Sequence, residues 1–325
     1  MVVVNSAKYI ALLHIQSLPR RDFSFLGEGF FHNQTTKKEE VVNKPYVVSA
    51  DIKLLMEKWA TKNNFVLPSG EFFCQLREEF SDHLCRIFSN FEFVSEYEIS
   101  LGIADLVATI GLPVISLDRV YFESELNLEI ARLVNENGEN QGLGHRPGTP
   151  SLLQQINRLR AIGSCEVTLV DDVIFSGALL ERIIEILSKI GIQVPVVCAG
   201  IGIAEGIHRI NTKRDIRCVR TYEEVIDEVC ERDFYPGVPL SGRPLAGDGN
   251  IGVPYILPFG NPKSWASIPN EHVETFSKFC LHQTVTLFKK IEQCSERQVL
   301  CQNLGRKVLG LPTDETRFID VLSVI

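Results

Sequence analysis

Val167-Thr168-Leu169-Val170-Asp171-Asp172-Val173-Ile174-Phe175-Ser176-Gly177-Ala178-Leu179 decides how the rest of this 325-residue chain is read. Strand-favouring residues run into two adjacent carboxylates, a short turn with Ser176-Gly177 follows, and an amphipathic segment begins. That order predicts a buried parallel strand whose carboxyl end delivers both acids to the rim of a sheet. Side chains alternate faces along a strand, so neighbouring aspartates cannot both enter the interior; where the backbone turns, both reach the rim. The backbone N–H groups of residues 173 to 178 and the start of the next helix favour an anion there. Gly177 permits positive φ and close approach of a ligand. Carboxylates that accept from vicinal hydroxyls, beside a turn that holds phosphate, suit a sugar phosphate.

Outward from this stretch, strand and helix patterns alternate. Leu180, Ile183, Ile184, Leu187 and Ile190 share one helical face, and Gly191 ends that helix. Gln193 to Ala199 predicts the next strand and Arg217 to Tyr222 another. Upstream, Leu112 to Leu117 reads as a strand entering Asp118-Arg119-Val120-Tyr121, and Thr149-Pro150 as the cap and first residue of a helix to about Arg160. Between them, Asn135 to Gly148 is rich in Gly and Asn and is expected to be a long mobile loop. The segments Ile99 to Ile110 and Glu125 to Val134 fit either strand or helix. This alternation predicts an α/β fold, a mostly parallel sheet with helices on both faces.

The flanking regions add to that unit. Residues 1 to about 48 are expected to hold strands and loops. Ser49 and Ser69 are placed as caps of two helices, the first carrying Ile52, Leu55, Met56 and Trp59 and the second Phe72, Phe73, Leu76, Phe80, Leu84 and Ile87 on one side. Pro236 to Pro262 is too rich in Gly and Pro for regular structure, and a helix is expected from about Glu271 to Cys294. The division expected is 1–105 as an N-terminal extension, 106–232 as the core, and 233–325 as a Gly/Pro-rich hood with a helical segment.

Composition bounds the function. An apolar fraction of 45%, charged residues at 23%, 23 Gly and 15 Pro describe a folded globular chain. A formal net charge of −8 speaks against a general nucleic-acid or acidic-membrane surface. Nine cysteines form no C-x-x-C pair, which predicts reduced thiols and a reducing, cytoplasmic location. No run has the length of a membrane span, and the first residues lack a charged start followed by an apolar stretch.

The segment Val170-Asp171-Asp172-Val173-Ile174-Phe175-Ser176-Gly177 resembles the phosphoribosyl pyrophosphate (PRPP) loop of the type I phosphoribosyltransferases. The resemblance implies that Asp171 and Asp172 bind the ribose hydroxyls, directly or through Mg²⁺, and serve as the catalytic acids. It implies that Val173, Ile174, Phe175, Ser176, Gly177, Ala178 and Leu179 wrap the 5′-phosphate. Arg119, in Ser116-Leu117-Asp118-Arg119, and Arg146, in Gly144-His145-Arg146, stand in chain order where that family neutralises pyrophosphate. Phe175 and Leu179 replace the family's hydroxyl residues, so phosphate donors are missing from the turn. The implied activity is a pentosyltransferase acting on PRPP with an unknown base or small nucleophile; a non-catalytic sensor of PRPP or nucleotides is the alternative. Tyr255 or Phe259 of the hood is expected to stack on the base, with Arg243 and Asp248 as weaker candidates. A homodimer is also implied.

Other readings fit less well. A bacterial receiver domain needs a further aspartate at the next strand end, where Cys198-Ala199-Gly200 stands. Gly200-Ile201-Gly202-Ile203-Ala204-Glu205-Gly206 places its third glycine one position late for a dinucleotide fingerprint, and close strand–helix packing accounts for the glycines. The seven histidines form no ligand-spaced pair.

Overall fold

The computed structural model describes residues 44–163, 165–247 and 250–325. The strands and loops expected over residues 1 to 48 fall, up to residue 43, outside the described residues, and so does Asp248.

In chain order, β1 (Tyr46–Ser49) leads to α1 (Ile52–Asn63), α2 (Gly70–Cys85), β2 (Phe91–Val94) and α3 (Glu96–Ala108). Four strands follow: β3 (Val114–Ser116), β4 (Leu126–Asn127), β5 (Ile130–Val134) and β6 (Asn140–His145), then α4 (Leu152–Arg160). Next come β7 (Cys165–Ile174), α5 (Ala178–Lys189), β8 (Ile192–Ile203), α6 (Ala204–Ile210) and β9 (Asp215–Tyr222). The chain continues through β10 (Asp227–Cys230), β11 (Arg243–Pro244), β12 (Ile251–Val253), α7 (Pro262–Ala266), α8 (Val273–Ser295), β13 (Lys307–Val308) and α9 (Phe318–Leu322).

The main sheet has the order β4-β3-β7-β8-β9, and every neighbouring pair is parallel. This is an α/β fold with a mostly parallel sheet covered by helices. Its middle strand, β7, is buried from Val167 to Val170, which explains why that stretch is made of strand-favouring residues with no exposed alternate positions. The chain leaves β3 toward β4 on one side and comes back to β7 on the other. Such a reversal opens a crevice outside the carboxyl ends of the two strands, here β3 and β7. A second parallel sheet, β10-β1-β2, joins segments far apart in sequence, with Tyr46 opposite Asp227 and Phe91. The expected N-terminal, core and hood segments share one apolar core. In it Phe80 of α2 meets Phe234, Tyr235 and Phe276.

Several local expectations change. The long loop over 135–148 contains β6, paired antiparallel with β5 so that Ile130 faces His145. β6 carries no buried residue and β5 buries only Val134, so the ladder of backbone bonds, not apolar alternation, makes the hairpin. The cap of α4 is Ser151, not Thr149: its hydroxyl accepts from the Gln154 amide at 3.4 Å while the Gln154 side chain accepts from the Ser151 amide at 3.0 Å. Ser49 ends β1 and donates to Glu228 at 2.9 Å, leaving Asp51 at the start of α1. The Gly/Pro-rich stretch carries β11 and β12, which form a small sheet with β13. All nine cysteines are free thiols. Among the described residues no helix is long and apolar enough to cross a membrane.

Candidate active site

A cavity of about 400 Å³ lies at the crevice, and Asp171, Asp172, Val173, Ile174, Phe175, Ser176, Gly177 and Leu179 line it. The acids come from the last turns of β7, where its register still holds Asp171 opposite Ala199 of β8. Asp171 is buried, whereas the Asp172 side chain keeps 23% of its surface exposed. The Asp172 amide donates to Asp171 Oδ1 at 3.0 Å, and the Val173 amide to Asp172 Oδ1 at 2.9 Å. Burial, then the neighbouring carboxylates of Asp172 and Asp118, push the Asp171 carboxyl well above the usual range. Asp118, at the carboxyl end of β3, folds its own turn by accepting from the amides of Val120, Tyr121 and Phe122 at 2.7–2.8 Å.

The turn after the acids is held by two glycines. Gly177 caps α5 at φ 70°, a left-handed conformation that costs a side-chain-bearing residue about 1–2 kcal/mol. Gly206, on α6, lies against it: a Cβ there would overlap the Phe175 carbonyl oxygen and stand 2.9 Å from the Gly177 amide nitrogen. The glycines of the 200–206 run therefore serve close packing: a Cβ on Gly200 would meet Ile99 of α3 and the Asp172 carbonyl oxygen. Phe175 is 38% exposed on the cavity wall.

The cavity lining is also rich in arginine. Arg146 donates to the Leu117 carbonyl at 3.3 Å and lies 3.4 Å from Glu129. Arg232 forms a buried ion pair with Asp51, its amide donating to the same carboxylate at 2.9 Å, and its guanidinium stands 3.7 Å from Asp172. Arg306 and Arg243 complete the set. Arg243 lies over Trp265 at 4.5 Å and over Tyr255 at 5.5 Å from the ring centres. Asp227, Glu228 and Asp233 line the wall beside them.

The structure therefore brings Arg146 and most of the turn together with both acids. Arg119 and Ala178 are not among the lining residues; Arg119 is 41% exposed and pairs with Glu129 at 3.1 Å. Tyr255 and Arg243 reach the cavity, whereas Phe259 does not line it. Sequence reasoning passed over Asp51, Glu228, Arg232, Trp265 and Arg306. The one available signal was the charge-dense run Asp227-Glu228-Val229-Cys230-Glu231-Arg232-Asp233, in which Glu228, Glu231, Arg232 and Asp233 are all buried. Among the described residues no group of three or more His, Cys, Asp or Glu side chains is arranged to hold a metal ion.

The acids, turn and parallel strand together resemble the type I phosphoribosyltransferases. No family model matches this chain, and no curated protein matches it. Solved structures that match over part of it include orotate phosphoribosyltransferase from Aeropyrum pernix, 17% identical over 38% of this chain and 70% of that one, with a TM-score of 0.24. Adenine phosphoribosyltransferase from Thermoanaerobacter pseudethanolicus is 12% identical over 39% of this chain and 79% of that one, with a TM-score of 0.25. A phosphoribosyltransferase from Corynebacterium diphtheriae is 12% identical over 38% and 77%, with a TM-score of 0.24.

Proposed function

We propose that the cavity binds a ribose 5-phosphate unit, carried by PRPP or a nucleotide, and that the protein transfers the phosphoribosyl group of PRPP to a nitrogenous base or another small nucleophile. The observation that supports this is the joint lining of one cavity by Asp171, Asp172 and the turn at 173–177, at the reversal of strand order between β3 and β7. In this reading the two acids accept from the ribose 2′- and 3′-hydroxyls. The turn's amides, Ser176 and the start of α5 hold the 5′-phosphate, and Arg146 faces the pyrophosphate. The sugar C1–oxygen bond breaks with its electron pair leaving on pyrophosphate, and the acceptor's lone pair forms the new bond to C1. Orientation and charge stabilisation are the main contributions of such a site.

Asp171 and Asp172 fit Mg²⁺, which takes one or two carboxylates together with water and ligand phosphate oxygens. The mutual repulsion of Asp171, Asp172 and Asp118 is what a divalent cation relieves. When bound, Mg²⁺ supplies charge neutralisation for the departing pyrophosphate. A cytoplasmic location and a homodimer belong to the same proposal.

One observation favours the non-catalytic sensor as a second reading: Phe175 and Leu179 line the cavity beside Ser176 and bring no hydroxyl donor to phosphate. Calorimetric titration with PRPP, with and without Mg²⁺, tests the site. Wild type gives a binding heat, and Asp172→Asn binds at least about tenfold more weakly, the loss of one hydrogen bond to a charged group. An unchanged heat in the variant removes the acids from the site. Isotope exchange between pyrophosphate and PRPP then separates transferase from sensor, since a sensor binds without exchange across base acceptors.

A further inference from the structure

We infer that the cavity continues past the phosphate turn into an apolar subsite, and that the ligand's 5′-phosphate is a diester whose second substituent is an apolar group seated there. The inference rests on the phosphoribosyl reading, since it takes the turn as the place where phosphate binds.

The walls beyond the turn are apolar. Besides Phe175 and Leu179, Leu180 and Ile183 of α5 line the cavity, and so do Ile130 and Ala131 of β5. Phe175 is exposed, and Leu179, Ile130 and Ala131 are half-buried, so these walls turn open apolar surface to the cavity. Ile183 stands well beyond the cap Gly177 in sequence. At a rise of about 1.5 Å per residue, it lies about 9 Å along the helix, out of reach of a phosphate held at the turn. The charged side chains of the same stretch are engaged elsewhere. Glu181 pairs with Arg209 and Arg182 with Glu185, each at 2.9 Å, and none of the four is among the lining residues.

The donors of the turn point the same way. A phosphate monoester brings a charge of about −1.5 to −2 at pH 7 and three strong acceptor oxygens. Ser176 carries the one hydroxyl side chain among residues 173 to 179, so the turn meets that demand mainly with backbone amides. A diester asks for less: it holds a single negative charge on two free oxygens. Its remaining oxygen bears the substituent, which the apolar walls of α5 and β5 then cover. With the acids on the hydroxyl edge of the sugar, C1 lies at the other end of the ligand, and the apolar group leaves it free to react. A ligand with a terminal 5′-phosphate enters the same site but leaves the subsite unfilled.

The test is calorimetry on the full chain with three probes: ribose 5-phosphate, its methyl phosphodiester and its phenyl phosphodiester. The two diesters carry the same charge, so the difference between them reads the apolar group. Wild type is expected to bind the phenyl diester at least about tenfold more tightly than the methyl diester, through apolar surface removed from water. Phe175→Ala strips one wall, and Ala131→Leu fills the space from the opposite strand. Each is expected to bring the ratio below about threefold while ribose 5-phosphate binds as in wild type. Should one variant fail to fold, the other decides. Equal binding of the two diesters by wild type overturns the subsite and leaves the phosphoribosyl reading standing, provided that ribose 5-phosphate binds. A phenyl preference that survives in both variants also overturns it, because the ring is then held elsewhere. If none of the three probes binds, the phosphoribosyl reading falls and the subsite falls with it.

Discussion

Gly206 on α6 lies against Gly177 at the cap of α5, so closely that a Cβ on Gly206 would reach to 2.9 Å of the Gly177 amide nitrogen. The turn that follows the paired aspartates is thus clamped from outside by the next helix of the sheet. Under the proposed function, a turn held in this way loses less entropy when a phosphate binds its amides.

Gly206→Ala forces that clamp apart. Overpacking against backbone, which has no rotamer to yield, is expected to destabilise the protein by about 1–3 kcal/mol. It also weakens ribose 5-phosphate binding, because the displaced atoms belong to the turn. Gly70→Ala is the matched control, since a Cβ there meets nothing within 4 Å. Denaturant unfolding and calorimetry on both variants check the contrast; equal behaviour would show that the turn does not depend on α6.

Phe175→Thr restores a hydroxyl at the turn. Phe175 is already 38% exposed, so its loss removes little buried surface. One added hydrogen bond contributes about 0.5–1.5 kcal/mol, a roughly 2- to 12-fold gain in affinity for ribose 5-phosphate. A calorimetric series that finds no tightening would place the phosphate elsewhere.

Asp51→Asn breaks the buried pair with Arg232. Asp51 is fully buried and Arg232 nearly so. Leaving the guanidinium without its carboxylate is expected to cost about 3–5 kcal/mol, far above the value of a surface pair. Urea unfolding measures it, and a change below 1 kcal/mol would mean that Asp172 takes over as the partner.

Glu228 sets a pH dependence. Burial, then Asp172, push its carboxyl from 4.5 up to about 8, against the pull of the Ser49 hydroxyl and Arg232. Below pH 4.5 the group is protonated in folded and unfolded chains alike, and it imposes no penalty. Between 4.5 and 8 the unfolded chain releases a proton that the folded protein keeps. Stability therefore falls as pH rises through that window, by at most about 1.4 kcal/mol per pH unit, and levels off above it. Glu228→Gln flattens the slope; parallel slopes in the two proteins would show that Glu228 ionises freely in the fold.

How much of this was legible in the sequence depended on what holds each part. β7 announces itself because a strand covered on both faces takes strand-favouring, mainly apolar residues, and its end because two carboxylates interrupt that run. Helices α2 and α5 show through their buried stripes at helical spacing, Phe73, Leu76, Phe80 and Leu84 in one and Leu180, Ile183, Ile184 and Leu187 in the other. The β5–β6 hairpin left no such trace, because backbone bonds hold it and Val134 is its one buried side chain. Arg232 and Arg306 were silent for another reason. A buried arginine is indistinguishable in sequence from a surface one until its partner is known, and Asp51 lies 181 residues from Arg232.

The pairing of Tyr46–Ser49 with Asp227–Cys230 has a further consequence for biogenesis. Strands so distant in the chain meet only after most of the polypeptide has been synthesised, and loop-closure entropy makes such late pairings slow. On the ribosome, the segment from 106 to 232 emerges with its acids in place but with one wall of the cavity still unmade. The cavity wall that Arg306 lines is completed only once that residue is released, so a truncated nascent chain carries the aspartates yet lacks the full pocket.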